Sequence, residues 1–170
     1  KRIDLLLEAG GRLIPKYPRL KLAIVGEGKE KANLVEMAEK SGISGHVTFT
    51  GALFDEPSIA PWFLSADLVV APAQIGHLAT HAHVYGVPLV ATNNTLVQGP
   101  EIEIMIPNKT GVTYQHEDVD SLVTAIDSLL SNRDYLARMK TCSQDRARTF
   151  ADMSRMVRGF VDAIKYVSRF

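Results

Sequence analysis

Residues 20–25 read Leu-Lys-Leu-Ala-Ile-Val and are followed at once by Gly26-Glu27-Gly28. A short apolar run that stops in a glycine turn is typical of a buried strand in a parallel sheet. Similar runs, each bounded by Gly, Pro or Asn, occur at residues 47–50, 68–71, 89–91 and 112–114. The sequence therefore predicts about five strands.

The segments between these runs have helical spacing. Leu34, Met37 and Ala38 share one face of a helix predicted over about residues 29–41, and a second apolar stripe follows Asp118. Such alternation predicts an α/β fold, a Rossmann-like and mostly parallel sheet with helices on both faces. From about Arg133 the strands stop, and two C-terminal helices are predicted near residues 133–148 and 154–168.

Composition limits the domain count and the partners. The 170 residues are 46% hydrophobic, which suits one core, so residues 1–170 are predicted to form a single domain. Nineteen basic side chains balance nineteen acidic ones, so no overall field favours nucleic acid or an anionic membrane. A single cysteine and the lack of a visible signal peptide or an apolar run of membrane-spanning length favour a cytoplasmic protein.

Two loops at the predicted carboxyl ends of strands have the composition of an anion site, because ligands of open parallel sheets bind there. Gly26-Glu27-Gly28 allows either close approach of a phosphate or a purely structural turn. Residues 72–76, Pro-Ala-Gln-Ile-Gly, precede a helix predicted to run from His77 to Tyr85 and to end at Gly86. A glycine just before a helix exposes unpaired N–H groups to a diphosphate.

His77 and His81 stand four residues apart and therefore lie on one helical face. Such a pair can bind a metal, pack without a ligand, or contact a phosphate or sugar. Leu78 occupies the place where a metalloprotease helix carries its glutamate, which weakens the metal interpretation. No metal site is predicted.

A third segment, Gln98 to Ile104, carries two acidic residues after Pro100. Glu101 and Glu103 fall in the first turn of a predicted helix, where the helix dipole favours carboxylates. A carboxylate at the mouth of the sheet can also accept hydrogen bonds from sugar or ribose hydroxyls. Both interpretations remain open from the sequence.

In the order and spacing of these segments, the chain resembles the C-terminal, donor-binding domain of family 4 retaining glycosyltransferases, which have the two-domain GT-B fold. The resemblance covers nearly the whole chain. The segments that carry it are 1–9, 22–28, 47–51, 65–72, 85–92, 103–104 and 108–111.

The resemblance implies a role for individual residues. Lys1 falls where the family's lysine pairs with the donor diphosphate, and Gly76 falls on the glycine of the diphosphate loop. Glu103 matches the family's acidic residue in the loop before the Thr-Gly turn, and the implied catalytic residues are Lys1 and Glu103. The glycine turn and the segment beside the base supply the implied donor-binding positions Gly26, Gly28, Gly51 and Leu53.

The chain departs from the family at two glutamates that normally stand eight positions apart, where it has Ala73 and His81. Gly76, Leu78 and His81, followed by residues 99–101, resemble a subgroup of bacterial polysaccharide-assembly transferases. Within that subgroup His81 is expected to contact the ribose or a phosphate, and Glu101 or Glu103 to supply the missing carboxylate. The implied donor-binding positions therefore also include His77, Leu78, His81 and Glu101.

The N-terminal end reads as a helix already in progress, without a capping residue, so upstream residues are expected to be missing. The resemblance implies an absent N-terminal acceptor domain and an absent first strand, central in a sheet ordered 3-2-1-4-5-6. Five strands are therefore expected, either with direct pairing across that gap or with a piece of the sheet missing. The arginine that would share the diphosphate with Lys1 is expected to be absent too.

The implied reaction moves a sugar from a UDP- or GDP-sugar to an acceptor hydroxyl, without a metal or other cofactor, in polysaccharide or glycoconjugate assembly. The fragment itself is expected to be inactive, and the full enzyme to associate with a membrane at most peripherally. Alternatives are a sugar-nucleotide epimerase of the same fold and a non-catalytic nucleotide-binding module.

The last predicted helix, residues 155–170, carries the apolar side chains Met156, Phe160, Ile164 and Phe170. We expect it to pack on its own domain. The alternative is partial exposure, because the corresponding helix of GT-B enzymes crosses to the first domain.

Overall fold

The computed structural model describes residues 1–150 and 152–168. The strands of this part are β1 (Leu22–Val25), β2 (Val47–Gly51), β3 (Val69–Ala71), β4 (Leu89–Thr92) and β5 (Gly111–Tyr114). The helices are α1 (Ile3–Leu13), α2 (Lys31–Lys40), α3 (Glu56–Ser65), α4 (Leu78–Val84), α5 (Val119–Leu130), α6 (Arg133–Phe150) and α7 (Met153–Val167). Short 3-10 helices occur at Ser44–His46, Thr95–Val97 and Pro100–Ile104.

Every strand pairing is parallel, as the alternation of strands and helices predicted. β1 pairs with β2, and β3, β4 and β5 form a separate sheet in that order. Of the two alternatives, direct pairing across the gap does not occur among the residues that the structure describes. The two sheets are joined by α1, whose Leu7 packs with β1 and α2 while its Leu5 and Leu6 pack with β4, β5 and α5.

The two sheets differ in how they are covered. In β4, Leu89 and Ala91 face α4, whereas Val90 faces α1 and α5, so helices cover both faces of this sheet as predicted. In β1, Leu22 and Ile24 pack under α1 and α2, but the alternate residues Ala23 and Val25 are exposed. The prediction of a buried strand at residues 20–25 is thus correct for one face only.

The sequence identified α2 and α5 from their apolar stripes, and both stripes pack in the core. The sequence did not predict α3, a segment that contains Pro57 and Pro61. Pro57 falls in the first turn, where no intrahelical N–H bond is lost, and Asp55 caps the helix by accepting from the backbone N–H of Ser58 at 3.0 Å.

The final helix α7 contradicts the expectation that it packs on its own domain. All of its residues are exposed, including Phe160 at 65% and Ile164 at 68%. Asp152 caps α7 by accepting from the backbone N–H of Arg155. Phe170 lies outside the described residues.

Across residues 1–150 and 152–168, no helix combines the length and the apolar character that crossing a membrane requires.

Candidate functional site

The loop between β3 and α4, residues 72–76, is called the glycine loop below, and side chains from two other segments hold it. Buried Tyr114 donates its hydroxyl hydrogen to the carbonyl of Pro72. Gln98 accepts from the backbone N–H of Ile75 at 3.0 Å and donates to the carbonyl of Ala73 at 3.4 Å. Burial raises the pKa of Tyr114, so it remains a donor at neutral pH. The glycine loop is therefore fixed before any ligand arrives.

Lys1 reaches the same loop. Its Nζ donates to the carbonyl of Gln74 at 2.7 Å, although 73 positions separate the two residues in the chain. A lysine ammonium has three donors, so Lys1 can keep this bond and still donate to an anion beside the loop. Arg2, the next cation, is already paired with Asp4 at 2.9 Å and with Glu117.

Gly76 ends the glycine loop in the left-handed region, at a φ of 57°, which favours glycine. A Cβ built there would meet nothing within 4 Å, so the space beside it is open. Helix α4 begins at Leu78, one residue later than predicted, and His77 is its exposed N-cap. Gly86, at a φ of 71°, ends α4 as predicted.

The other two predicted glycine segments meet each other. The backbone N–H of Gly26 donates to the carbonyl of Gly51 at 2.8 Å, and both residues have positive φ. Gly28 has an ordinary φ, and a Cβ there would also meet nothing within 4 Å. Neither backbone conformation nor packing therefore requires a glycine at position 28. The residues from Gly51 to Leu53 lead directly into α3.

His81 lies in a cluster with residues that the sequence did not identify. Its Nε2 is 3.8 Å from a carboxylate oxygen of Glu56, and the hydroxyl of Tyr85 donates to the other oxygen. Phe63 stacks on both rings, with centroid separations of 5.8 Å to His81 and 5.2 Å to Tyr85. The hydrogen bond to Glu56 raises the pKa of Tyr85. The i, i+4 spacing of His81 and Tyr85 was a visible signal.

His77 and His81 do not form part of a metal-binding cluster within the described residues. Among the described residues, no group of three or more His, Cys, Asp or Glu side chains is arranged to hold a metal ion.

The acidic segment after Pro100 is a 3-10 helix that packs against α4. The carboxylate of Glu101 folds over Gly99 and occupies the space that an added Cβ would need. Glu103 is exposed, and its backbone carbonyl accepts from Arg146 at 2.8 Å. Lys1 and the loop of Gly76 thus converge, while the carboxylate of Glu103 forms no hydrogen bond to either of them within the described part of the chain.

Among the predicted functional residues, Lys1 contacts the glycine loop that ends at Gly76, and Gly26 contacts Gly51. The cluster around His81 connects the segment that follows Gly51 to α4. Gln98, Glu56 and Tyr85 were missed, because each acts through a contact 23 or more residues away along the chain.

Comparisons with known proteins identify the family and the fold. Residues 1–146 match the family model of the group 1 glycosyl transferases. A GDP-mannose-dependent alpha-(1-6)-phosphatidylinositol monomannoside mannosyltransferase of Mycolicibacterium smegmatis is 30% identical over 139 residues, which are 76% of this chain and 35% of that enzyme.

Solved structures show the same fold. A mutant of TarM from S. aureus, in a complex that contains UDP, superposes with a TM-score of 0.83 at 22% identity, over 95% of this chain and 32% of that one. The C-terminal domain of LpcC, a group 1 family glycosyl transferase from Francisella tularensis, superposes with a TM-score of 0.74 at 19% identity, over 88% of this chain and 78% of that one.

The chain spans only about a third of the length of the mannosyltransferase and of TarM. Because the family model matches 146 of its 170 residues, this chain belongs to the group 1 glycosyl transferases.

Proposed function

We propose that this chain is the nucleotide-sugar-binding part of a glycosyltransferase that moves a sugar from a nucleoside diphosphate to an acceptor hydroxyl. One observation carries the proposal beyond family membership: the ammonium of Lys1 lies against the glycine loop, 2.7 Å from the carbonyl of Gln74. A cation and open backbone N–H groups at the carboxyl edge of a parallel sheet suit a diphosphate.

The chemical task is to stabilise the diphosphate as it leaves the sugar. Lys1 is placed to donate to the developing negative charge, and Gly76 leaves open space beside the loop. Stabilisation by donors that are already oriented is an efficient form of electrostatic catalysis. Tyr114 and Gln98 supply that orientation by holding the loop. We propose that these groups act without a metal ion.

The remaining donor positions are assigned by the same proposal. Gly26, Gly28, Gly51 and Leu53 line the side on which the base binds, and the open space beside Gly28 supports a close approach of the ligand. His77, Leu78 and His81 face the ribose or a phosphate, and Glu101 or Glu103 supplies a carboxylate near the transferred sugar. The exposed carboxylate of Glu103 is available for such a contact.

The donor is a UDP- or GDP-sugar. The mannosyltransferase relative is GDP-mannose-dependent by name, and the TarM complex contains UDP, so both bases have support. We propose that an N-terminal acceptor domain of the same cytoplasmic enzyme completes the cleft, because the matched part of this chain spans only about a third of each relative's length. The β1–β2 sheet and the β3–β5 sheet do not pair within the described residues, which is consistent with a further strand between them, as the resemblance implies.

Calorimetric titration with UDP, GDP and their sugar conjugates, in the presence of a metal chelator, tests the proposal. We expect saturable binding of one nucleotide that is weakened by His81→Ala or by Glu103→Ala. Binding that requires a divalent metal would contradict metal independence. Absence of binding, both here and in a chain extended at its N-terminal side, would contradict the function itself.

A further inference from the structure

The cluster of Glu56, Phe63, His81 and Tyr85, called the Glu56 cluster below, lies where the segment after β2 meets α4. Tyr85 donates to one carboxylate oxygen of Glu56, and His81 approaches the other to 3.8 Å. Phe63 stacks on both rings and packs against the buried core between β4 and α4. The carboxylate of Glu56 is therefore held in place by a neighbouring helix.

Capping of the N-terminus of α3 does not explain the position of the Glu56 carboxylate. The N-terminus of α3 is capped by Asp55, which accepts from both the N–H and the hydroxyl of Ser58 at 3.0 and 2.9 Å. Glu56 is therefore not the capping residue, and its carboxylate instead contacts residues associated with α4. Its side chain is 57% exposed, and so exposed a pair adds little stability. An exposed but oriented carboxylate is suited to meet a ligand.

The chemistry of the carboxylate indicates which part of a nucleotide sugar it meets. A diphosphate is repelled by a carboxylate, and the structure places a cation, Lys1, at the glycine loop instead. Tyr85 occupies one acceptor position of Glu56, which leaves several lone pairs on the two oxygens. Two adjacent hydroxyl groups of a sugar are neutral donors at the right spacing for two such oxygens.

We infer that Glu56 binds a vicinal pair of hydroxyls on the donor nucleotide, with Tyr85 as the residue that positions its carboxylate. The inference rests on the proposed function and adds a specificity residue from α3 to it. The hydroxyls belong either to the ribose or to the transferred sugar, which share this chemistry. His81 lies beside the same carboxylate and completes the polar edge of the site.

The test is calorimetric titration of the wild type and of Glu56→Gln with four probes: the nucleoside diphosphate that binds, its 2′-deoxy form, and its glucose and mannose conjugates. A charged hydrogen-bond acceptor of this kind accounts for about a tenfold to hundredfold preference for the hydroxyl-bearing ligand. If the ribose is bound, the wild type prefers the ribonucleotide by about that factor, and Glu56→Gln loses the preference. If the transferred sugar is bound, the variant instead loses the gain in affinity that the sugar conjugate provides.

Matched variants separate this role from a structural one. Glu36→Gln changes a carboxylate of similar exposure that pairs with Lys40 on α2, and it should leave every ratio unchanged. Tyr85→Phe should reduce the same ratio as Glu56→Gln, by a smaller factor, because it removes orientation and not the acceptor.

The same titrations distinguish failure of the proposed function from failure of the role assigned to Glu56. Wild-type protein that binds no nucleotide overturns the proposed function and the inference with it. Nucleotide binding in which Glu56→Gln keeps both preferences overturns the inference alone. Loss of the preferences in Glu101→Gln or Glu103→Gln, and not in Glu56→Gln, assigns the hydroxyls to those residues and overturns it as well.

Discussion

Replacing Gln98 with leucine tests whether the glycine loop is held by a side chain 23 residues away. Gln98 gives the backbone N–H of Ile75 its acceptor at 3.0 Å, and Ile75 is only 3% exposed. Leucine has a similar volume but no acceptor, so this N–H loses its partner. Leaving a buried donor unpaired costs about 1–3 kcal/mol.

For a chain of this size, each kcal/mol lowers the melting temperature by about 2–4 °C. We therefore expect Gln98→Leu to melt about 2–12 °C below the wild type in differential scanning calorimetry. Nucleotide affinity should fall as well, since the loop is no longer fixed before binding. Gln98→Glu keeps the acceptor for Ile75 and should lose less stability than the leucine variant.

Gln74→Leu is the matched control, because it changes the same residue type within the glycine loop. The side chain of Gln74 is exposed, and Lys1 binds its backbone carbonyl, which the substitution retains. We expect the control to melt close to the wild type. If both leucine variants lower the melting temperature equally, the Gln98 bonds do not hold the loop.

Three further predictions concern stability and association. Burial lowers the pKa of His83, so its contribution to the unfolding free energy is complete above pH ~6.5 and is lost as the pH falls towards that lowered pKa. When the unfolding free energy is measured with a denaturant at several pH values, His83→Leu should therefore make its decrease at acid pH less steep, and an unchanged slope would contradict this role. Gly86→Ala should destabilise the fold, because the residue has a φ of 71° and its new Cβ would lie 2.6 Å from Cγ of Gln144. Adding Gln144→Ala should remove the clash but leave about 1–2 kcal/mol of backbone strain, and strictly additive effects of the two substitutions would show that there is no clash. The exposed apolar face of α7 is expected to cause self-association, so Phe160→Glu should reduce association in sedimentation velocity. Because Phe160 is 65% exposed, the substitution should change the unfolding free energy by no more than about 0.5 kcal/mol, and a much larger loss of stability would mean that α7 packs on the domain.

The strands were predictable because each is a local signal, an apolar run that ends in a turn residue. The predicted runs at residues 47–50 and 89–91 differ from β2 and β4 by one residue at the C-terminal end. Glycine turns were equally local, and Gly26, Gly76 and Gly86 do adopt positive φ. Local sequence was therefore enough to predict the strands and the glycine turns.

The contacts within the site could not be read in this way. Gln98 begins the acidic segment that was identified from the sequence, but its contacts with residues 73–75 depend on how that segment packs against the glycine loop. Glu56 resembles an ordinary first-turn acid of a helix until the structure places Tyr85 beside it. Apolar spacing predicted α7 correctly, but periodicity gives only the face of a helix and not what covers it.

Hydrogen exchange of backbone amides, with and without saturating UDP or GDP, tests the central claim most directly. If the chain binds the donor diphosphate at Lys1 and the glycine loop, exchange should slow in residues 73–78, with smaller effects at 26–28 and 51–56. Saturable nucleotide binding that leaves the glycine loop unprotected, or that protects a different surface, would contradict the account.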